Sequence, residues 1–206
     1  MERANEVLEF WFGRGPWDAA RLADRSRFWF GAGDSAEVVA ERDVLIRSQL
    51  EPMLERAARG EFAAWAASPK RRLALIILLD QVPRNAYRGT AAAFAFDREA
   101  LALSLEGMQL AADAALDPAE RLFFYLPLEH AESMEAQDTA VAAMERLLSD
   151  APSEFKGFCE ATLAYARQHR EVIAKFGRFP HRNKVLERES TPAEIEWLAA
   201  SDHFGQ

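Results

Sequence analysis

Apolar residues recur along this chain at three- and four-residue steps, and no stretch sustains two-residue alternation. That periodicity predicts helix almost throughout. A first helix is expected over 3–12, stopped by Gly13. "DAARLADRSRFWF" (18–30) and "SAEVVAERDVLIRSQLEPMLERAARG" (35–60) supply two more. The second should break or bend at Pro52, whose ring clashes with the preceding turn, and stop at Gly60. In "SPKRRLALIILLDQV" (68–82), Ser68 is placed to cap free amides and Pro69 suits the first helical position. Pro83 is expected to end that helix. After a turn at Gly89, residues 98–113 read as an amphipathic helix with Leu101, Leu105 and Met108 inward.

Further helices are expected at 118–131, 135–149 and 153–176. "DPAE" (117–120) and "TPAE" (191–194) are capping-box starts, an acceptor followed three residues later by Glu, and Thr191 opens a last helix. Within 153–176, Phe155, Phe158, Thr162, Tyr165, His169, Val172 and Phe176 form one stripe that should pack on a neighbouring helix. There is no long linker, low-complexity tract or repeat of fixed period. The pattern therefore predicts one all-α domain over 1–206, with about eight to ten antiparallel helices as a bundle or short solenoid.

Composition narrows the function classes. The formal charge of −8 argues against a nucleic-acid surface, which needs a cationic footprint, although a local basic site survives it. One cysteine, Cys159, excludes an internal disulfide and fits a reducing compartment. "MERANEVLEFWFG" carries Glu2, Arg3, Glu6 and Glu9, unlike a signal peptide, and the longest apolar run, "LALIILL" (73–79), is far below the ~20 residues of a membrane span. A cytoplasmic protein is expected, without membrane or nucleic-acid partners. Nothing in the pattern fixes an oligomeric state.

Three stretches carry candidate chemistry. In "LALIILLDQVPRNAYRG" (73–89), Asp80 lies one turn beyond Ile76 and Ile77 and should point inward. A buried carboxylate needs a partner, and Arg84 or Arg88 can supply it. That pairing is either an internal salt bridge or a device holding a guanidinium toward a carboxylate or phosphate ligand. In "ERLFFYLPLEHAESMEAQD" (120–138), Arg121, Tyr125, Glu129 and Glu132 would share a face, lining a pocket or meeting solvent. Glu129 and His130 point about 100° apart on a helix, so each needs a partner from elsewhere. In "KFGRFPHRNKVLERES" (175–190), Gly177 suits a left-handed cap and Phe179 can anchor a loop from which Arg178, His181, Arg182 and Asn183 face a cavity. A helix C-terminus attracts cations and could alone explain Lys175 and Arg178. His169, inside the apolar stripe, reads as a hydrogen-bonded core residue. His130, His169 and His181 lack paired metal-ligand spacing, and no phosphate-loop or nucleophile motif occurs, so no metal and no cofactor are expected.

Five pieces in chain order, "FWFG" (10–13), "LALIILLDQVPRNAYRG" (73–89), "AFAFDREAL" (93–101), "RLFFYLPLEHAE" (121–132) and "FGRFPHRN" with "REST" (176–191), make the chain resemble the bacterial domain-of-unknown-function family 924. The resemblance implies a tetratricopeptide-like right-handed superhelix or irregular bundle and no established activity. It also implies that Asp80, Arg84, Asn85, Arg88, Arg121, Tyr125, Glu129, His130, His181, Arg182 and Asn183 are signature polar positions. The reading that follows is a cationic inter-helix pocket for a small phosphate- or carboxylate-bearing molecule. In it Glu129, His130 and His181 are the candidate catalytic groups of a hydrolase or transferase. Asp80, Arg84, Asn85, Arg88, Arg121, Tyr125, Arg178, Arg182 and Asn183 are the candidate ligand contacts. The alternative is a scaffold without catalysis that binds a protein or peptide, anchored by Trp11, Trp29, Trp65 and Trp197.

Overall fold

The computed structural model describes residues 2–31 and 33–200, and every regular element among them is helical. In chain order these are α1 (Glu2–Phe12), α2 (Ala19–Phe30), α3 (Ala36–Ala58), α4 (Pro69–Ile76), α5 (Val82–Ala86) and α6 (Asp97–Gln109). α7 (Pro118–Glu129), α8 (Met134–Asp150), α9 (Lys156–Phe176) and α10 (Pro192–Ala200) follow. A π-helical turn, Ile77–Gln81, joins α4 to α5, so the two run as one helix and the described residues hold nine.

Several helix ends are where the sequence puts them. Gly13 and Gly177 follow their helices at positive φ, 73° and 69°. Asp117 with Glu120 and Thr191 with Glu194 close reciprocal capping boxes. Three expectations fail, and the break allowed for at Pro52 is absent. Ser68 makes no side-chain cap bond, although Pro69 holds the first position. α3 runs through Pro52 without interruption. Pro83 does not end its helix: the wider π turn, in which the Val82 N–H reaches the Ile77 carbonyl, resets the ladder so that proline sits in the first turn of a new α segment. The helix expected to run to 113 ends at Gln109.

α4 lies against α1, α6 and α7, and α7 against α6, α8 and α9, so these two helices are the centre. Residues 73–82 are all buried. Phe123 of α7 is collared edge-on by Trp11, Phe12 and Trp29, with ring centroids 5.7, 5.4 and 4.7 Å away. The inward face of α6 is Ala100, Ser104 and Gly107; Leu105 is exposed, and Leu101 and Met108 are only half-buried. Close approach explains the reversal, because a Cβ at Gly107 would stand 2.4 Å from Phe124 Cζ and 2.7 Å from Arg72 Cδ. A row of leucines would not fit there.

The stripe on α9 is likewise rotated. Cys159, Leu163, Ala166, His169, Val172 and Ile173 are buried, while Tyr165 is exposed. α8 presents Ala136, Ala140 and Ala143 to the interior, and α9 packs on it. Val172, Ile173 and Phe179 form a second, small apolar cluster with Met134, Phe176 and Trp197 at its edge. No described helix is long and apolar enough to cross a membrane.

Candidate functional site

The π turn aims Asp80 into the protein, where it is fully buried. His130, the residue after α7, meets it with Nδ1 2.8 Å from Oδ1, and Gln81 donates an Nε2–H to Oδ2 at 2.6 Å. Arg84, one turn on, lies 3.6 Å from Asp80. Its guanidinium donates two parallel hydrogen bonds to Asp97, at 2.7 and 2.9 Å, and a third to the Ala93 carbonyl. Asp97 opens α6. It was missed as a site residue, although a buried arginine beside one carboxylate already implied a second acid.

Arg182, on a short turn after α9, completes the group. It is 94% buried and donates one side-chain hydrogen bond, a long one of 3.4 Å to Asp97. Its guanidinium carbon lies 4.6 Å from the centre of the Phe94 ring and 4.4 Å from that of Phe179. Its Nε is buried without a hydrogen-bond partner. Glu129 is buried too, with Oε1 3.2 Å from His169 Nδ1, and His169 donates that N–H to the Tyr165 carbonyl at 2.9 Å. The His169 ring connects the parts: it lies 6.4 Å from His130 and 5.6 Å from Phe179, and Phe179 is 5.5 Å from His181.

Burial alone would raise the Asp80 carboxyl, but Arg84, His130 and the bonds from His130 and Gln81 outweigh it and hold it well below the usual range. Burial, seconded by Arg84, keeps the His130 imidazole neutral. Its one Nδ1–H then goes to Asp80, leaving Nε2 as the basic nitrogen. Burial pushes His169 down to about 3. Burial and then Asp80 push Glu129 up to about 8, so it holds a proton at neutral pH. Burial and then Arg84 lower Arg182 to about 10. The arrangement is a charged and acid–base centre in which one buried guanidinium is poorly compensated.

Asp80, Arg84, Glu129, His130 and Arg182 therefore lie together, while His181 stands beside Phe179 at their edge. Asn183 stands next to Arg182, buried, donating Nδ2–H to Ser190 with its Oδ1 unpartnered. The other candidates are held elsewhere. Arg88 is clamped by Asp43 of α3 at 2.6 and 3.0 Å and also reaches Asn85 Oδ1, while Asn85 donates to the Gln81 carbonyl. Arg121 donates to Tyr125, whose hydroxyl donates to Asp113 and is pushed up to about 12 mainly by burial; this is a separate network on the first half of α7. Arg178 forks onto Glu194 at 2.7 and 2.8 Å. Glu132 lies beyond the end of α7 and not on the face of Arg121 and Tyr125. Two surface hollows, about 520 and 380 Å³, lie away from the centre, the first beside Arg72 and Glu106 and the second beside Tyr87 and Phe96. Around the centre, His130, Asp97, Phe94 and His181 are partly exposed.

No curated protein matches this sequence. The chain is similar to a solved protein of unknown function from Agrobacterium tumefaciens, 36% identical with a TM-score of 0.71, the match covering 89% of this chain and 100% of that one. Residues 7–202 match the family described as "Bacterial protein of unknown function (DUF924)", and the chain belongs to that family.

Proposed function

We propose that the protein binds a small anion-bearing metabolite, a phosphate or carboxylate compound, at Arg182, with His130 placed to exchange a proton with it. One observation carries the reading. The Arg182 guanidinium is buried, and its Nε–H has no acceptor. An ionised donor left unsatisfied in the interior costs more than an ordinary lost hydrogen bond, and an anion would remove that cost. Phe94 and Phe179 pack on the planar guanidinium and fix its position. Asp80 fixes the His130 tautomer as a carboxylate does in acid–base dyads, so hydrolysis or group transfer on a phosphorylated or acylated substrate suits the set.

A peptide-binding scaffold is less favoured. Trp11 and Trp65 are core residues and offer no surface, and Trp197 is half-buried against Phe176.

The test is thermal unfolding with inorganic phosphate and with acetate. At a hundredfold excess over Kd, binding stabilises by about 2.7 kcal/mol, or roughly 5–11 °C for a chain of this size. Arg182→Met should abolish that shift while remaining folded without anion. A wild-type protein that shifts with neither anion, or an Arg182→Met variant that shifts as much, overturns the reading.

A further inference from the structure

Arg182 and Phe179 are buried, neither the hollow beside Arg72 nor the one beside Tyr87 includes them, and the residues meeting there belong to two different parts of the molecule. Asp80, Arg84, Asp97 and His130 stand on the helical body. His181 and Arg182 stand on the segment that leaves α9 at Gly177 and continues through α10.

That segment is attached in an unusual way. Its apolar anchorage is concentrated at its start, where Phe179 and Pro180 are buried; Val185, Leu186, Trp197 and Leu198 are only half-buried, Trp197 meeting Phe176 edge to face, and Ile195 is exposed. α10 packs on the 180–182 turn of the same segment, which makes the two a unit. Within the unit Arg178 binds Glu194, and Asn183 binds Ser190.

Besides the packing of Phe179 and the contacts of Arg182 with Asp97 and Phe94, its polar ties to the body centre on one carboxylate. Glu132, just past α7, accepts the Phe179 backbone N–H at 2.8 Å and two bonds from Arg188 at 2.7 and 3.0 Å. Arg188 in turn donates to the Phe179 carbonyl. The Glu132 and Arg188 side chains are each about a quarter exposed, 26% and 24%, so water reaches these bonds in part. Segments fixed by few apolar contacts and solvent-reachable hydrogen bonds open locally before the rest unfolds. Gly177, in the left-handed region, supplies a pivot.

We propose that residues 177–200 form a strap, latched by Glu132, that swings open at Gly177 to admit an anion and closes by carrying Arg182 onto it. This rests on the anion reading of Arg182. In the closed arrangement the Arg182 Nε has no protein acceptor, so an anion accepting its N–H would favour closure, while the latch alone also holds the strap down.

Hydrogen–deuterium exchange of the full chain, resolved by peptide, tests it with inorganic phosphate as the probe. In the wild type, strap amides should exchange more than about tenfold faster than those of α4 and α7. Glu132→Ala should speed the strap further and leave α4 and α7 unchanged, and saturating phosphate should slow the strap in the wild type but not in Arg182→Met. A phosphate-induced thermal shift with a strap as slow as α7, in wild type and Glu132→Ala alike, overturns the strap alone. A fast strap indifferent to phosphate, with no thermal shift, overturns the anion reading and the gate with it.

Discussion

Two arginines meet at Asp97, and substituting methionine for each separates a structural guanidinium from one available to a ligand. Arg84 donates to both Asp97 oxygens and to two backbone carbonyls, and it stands beside fully buried Asp80. Arg84→Met leaves two carboxylates short of a cation, and breaking a buried pair from one side costs about 3–5 kcal/mol. For a chain of this size that lowers Tm by roughly 6–20 °C. Arg182→Met removes one long bond, worth about 0.5–1.5 kcal/mol, but also an unsatisfied buried donor that costs about 1–3 kcal/mol. Methionine also suits the space between two phenyl rings. Loss of the two ring contacts and of one positive charge counts against the variant, so the net should be a loss clearly smaller than that of Arg84→Met. The two variants should differ again with pH. Burial, with Arg84, holds His130 below its usual 6.5, so below that pH the unfolded chain binds more protons and wild-type stability falls. Without Arg84, Asp80 draws a proton onto His130 more readily, and the deficit of Arg84→Met should shrink from pH 7.5 to 5.5. Urea unfolding at both pH values reads all of this. Equal losses for the two variants, or an Arg84→Met deficit that grows in acid, would refute the assignment.

Glu129 should make the protein less stable in mild alkali. Its carboxyl is raised by burial and Asp80 to about 8, so from about pH 4.5 up to 8 the folded chain keeps a proton that the unfolded chain has lost. Stability then falls with rising pH, by at most about 1.4 kcal/mol per unit. Glu129→Gln should gain on wild type between pH 6 and 8.5 in urea titrations; a gap independent of pH would show that Glu129 ionises normally. Gly107→Ala should destabilise by up to about 2 kcal/mol, a clash with Phe124 and Arg72 of about 1–3 kcal/mol less a helix-propensity gain of about 1 kcal/mol. A variant more stable than wild type would mean that α6 shifts freely.

Helix existence was legible because apolar periodicity reports a local geometric requirement. What lay beyond it depended on partners. Nothing around Leu105 tells a reader that α7 comes so near that Gly107 must be the contact, and Pro83 looks like a stop unless a π turn precedes it. The polar site divides along the same line. Asp80 was predictable as an inward charge because its own helix is apolar all round. Its engagement by His130, fifty residues away, was not, and neither was the capture of Arg88 by Asp43. His169 illustrates the converse. Its place in an apolar stripe correctly implied burial, but only the fold shows that its neighbours are Glu129 and His130.

Charge balance explains how so many ionisable groups coexist in this interior. Asp80 and Asp97 supply two negative charges, Arg84 and Arg182 two positive, while His130 and His169 are neutral and Glu129 keeps its proton. A neutral total escapes most of the cost of burying charge, and the bonds around Asp80 and Arg84 offset much of the rest. An anion seated on Arg182 breaks that balance and leaves the centre net negative unless a proton arrives with it. Of the neutral groups, Glu129 is already protonated and His169 has spent its N–H on Tyr165. His130 keeps 15% of its side chain exposed and is bonded to Asp80 through Nδ1, which leaves Nε2 as the position where that proton would be taken up. On the proposed reading of Arg182, anion binding would therefore be coupled to protonation of His130, as an acid–base function would require.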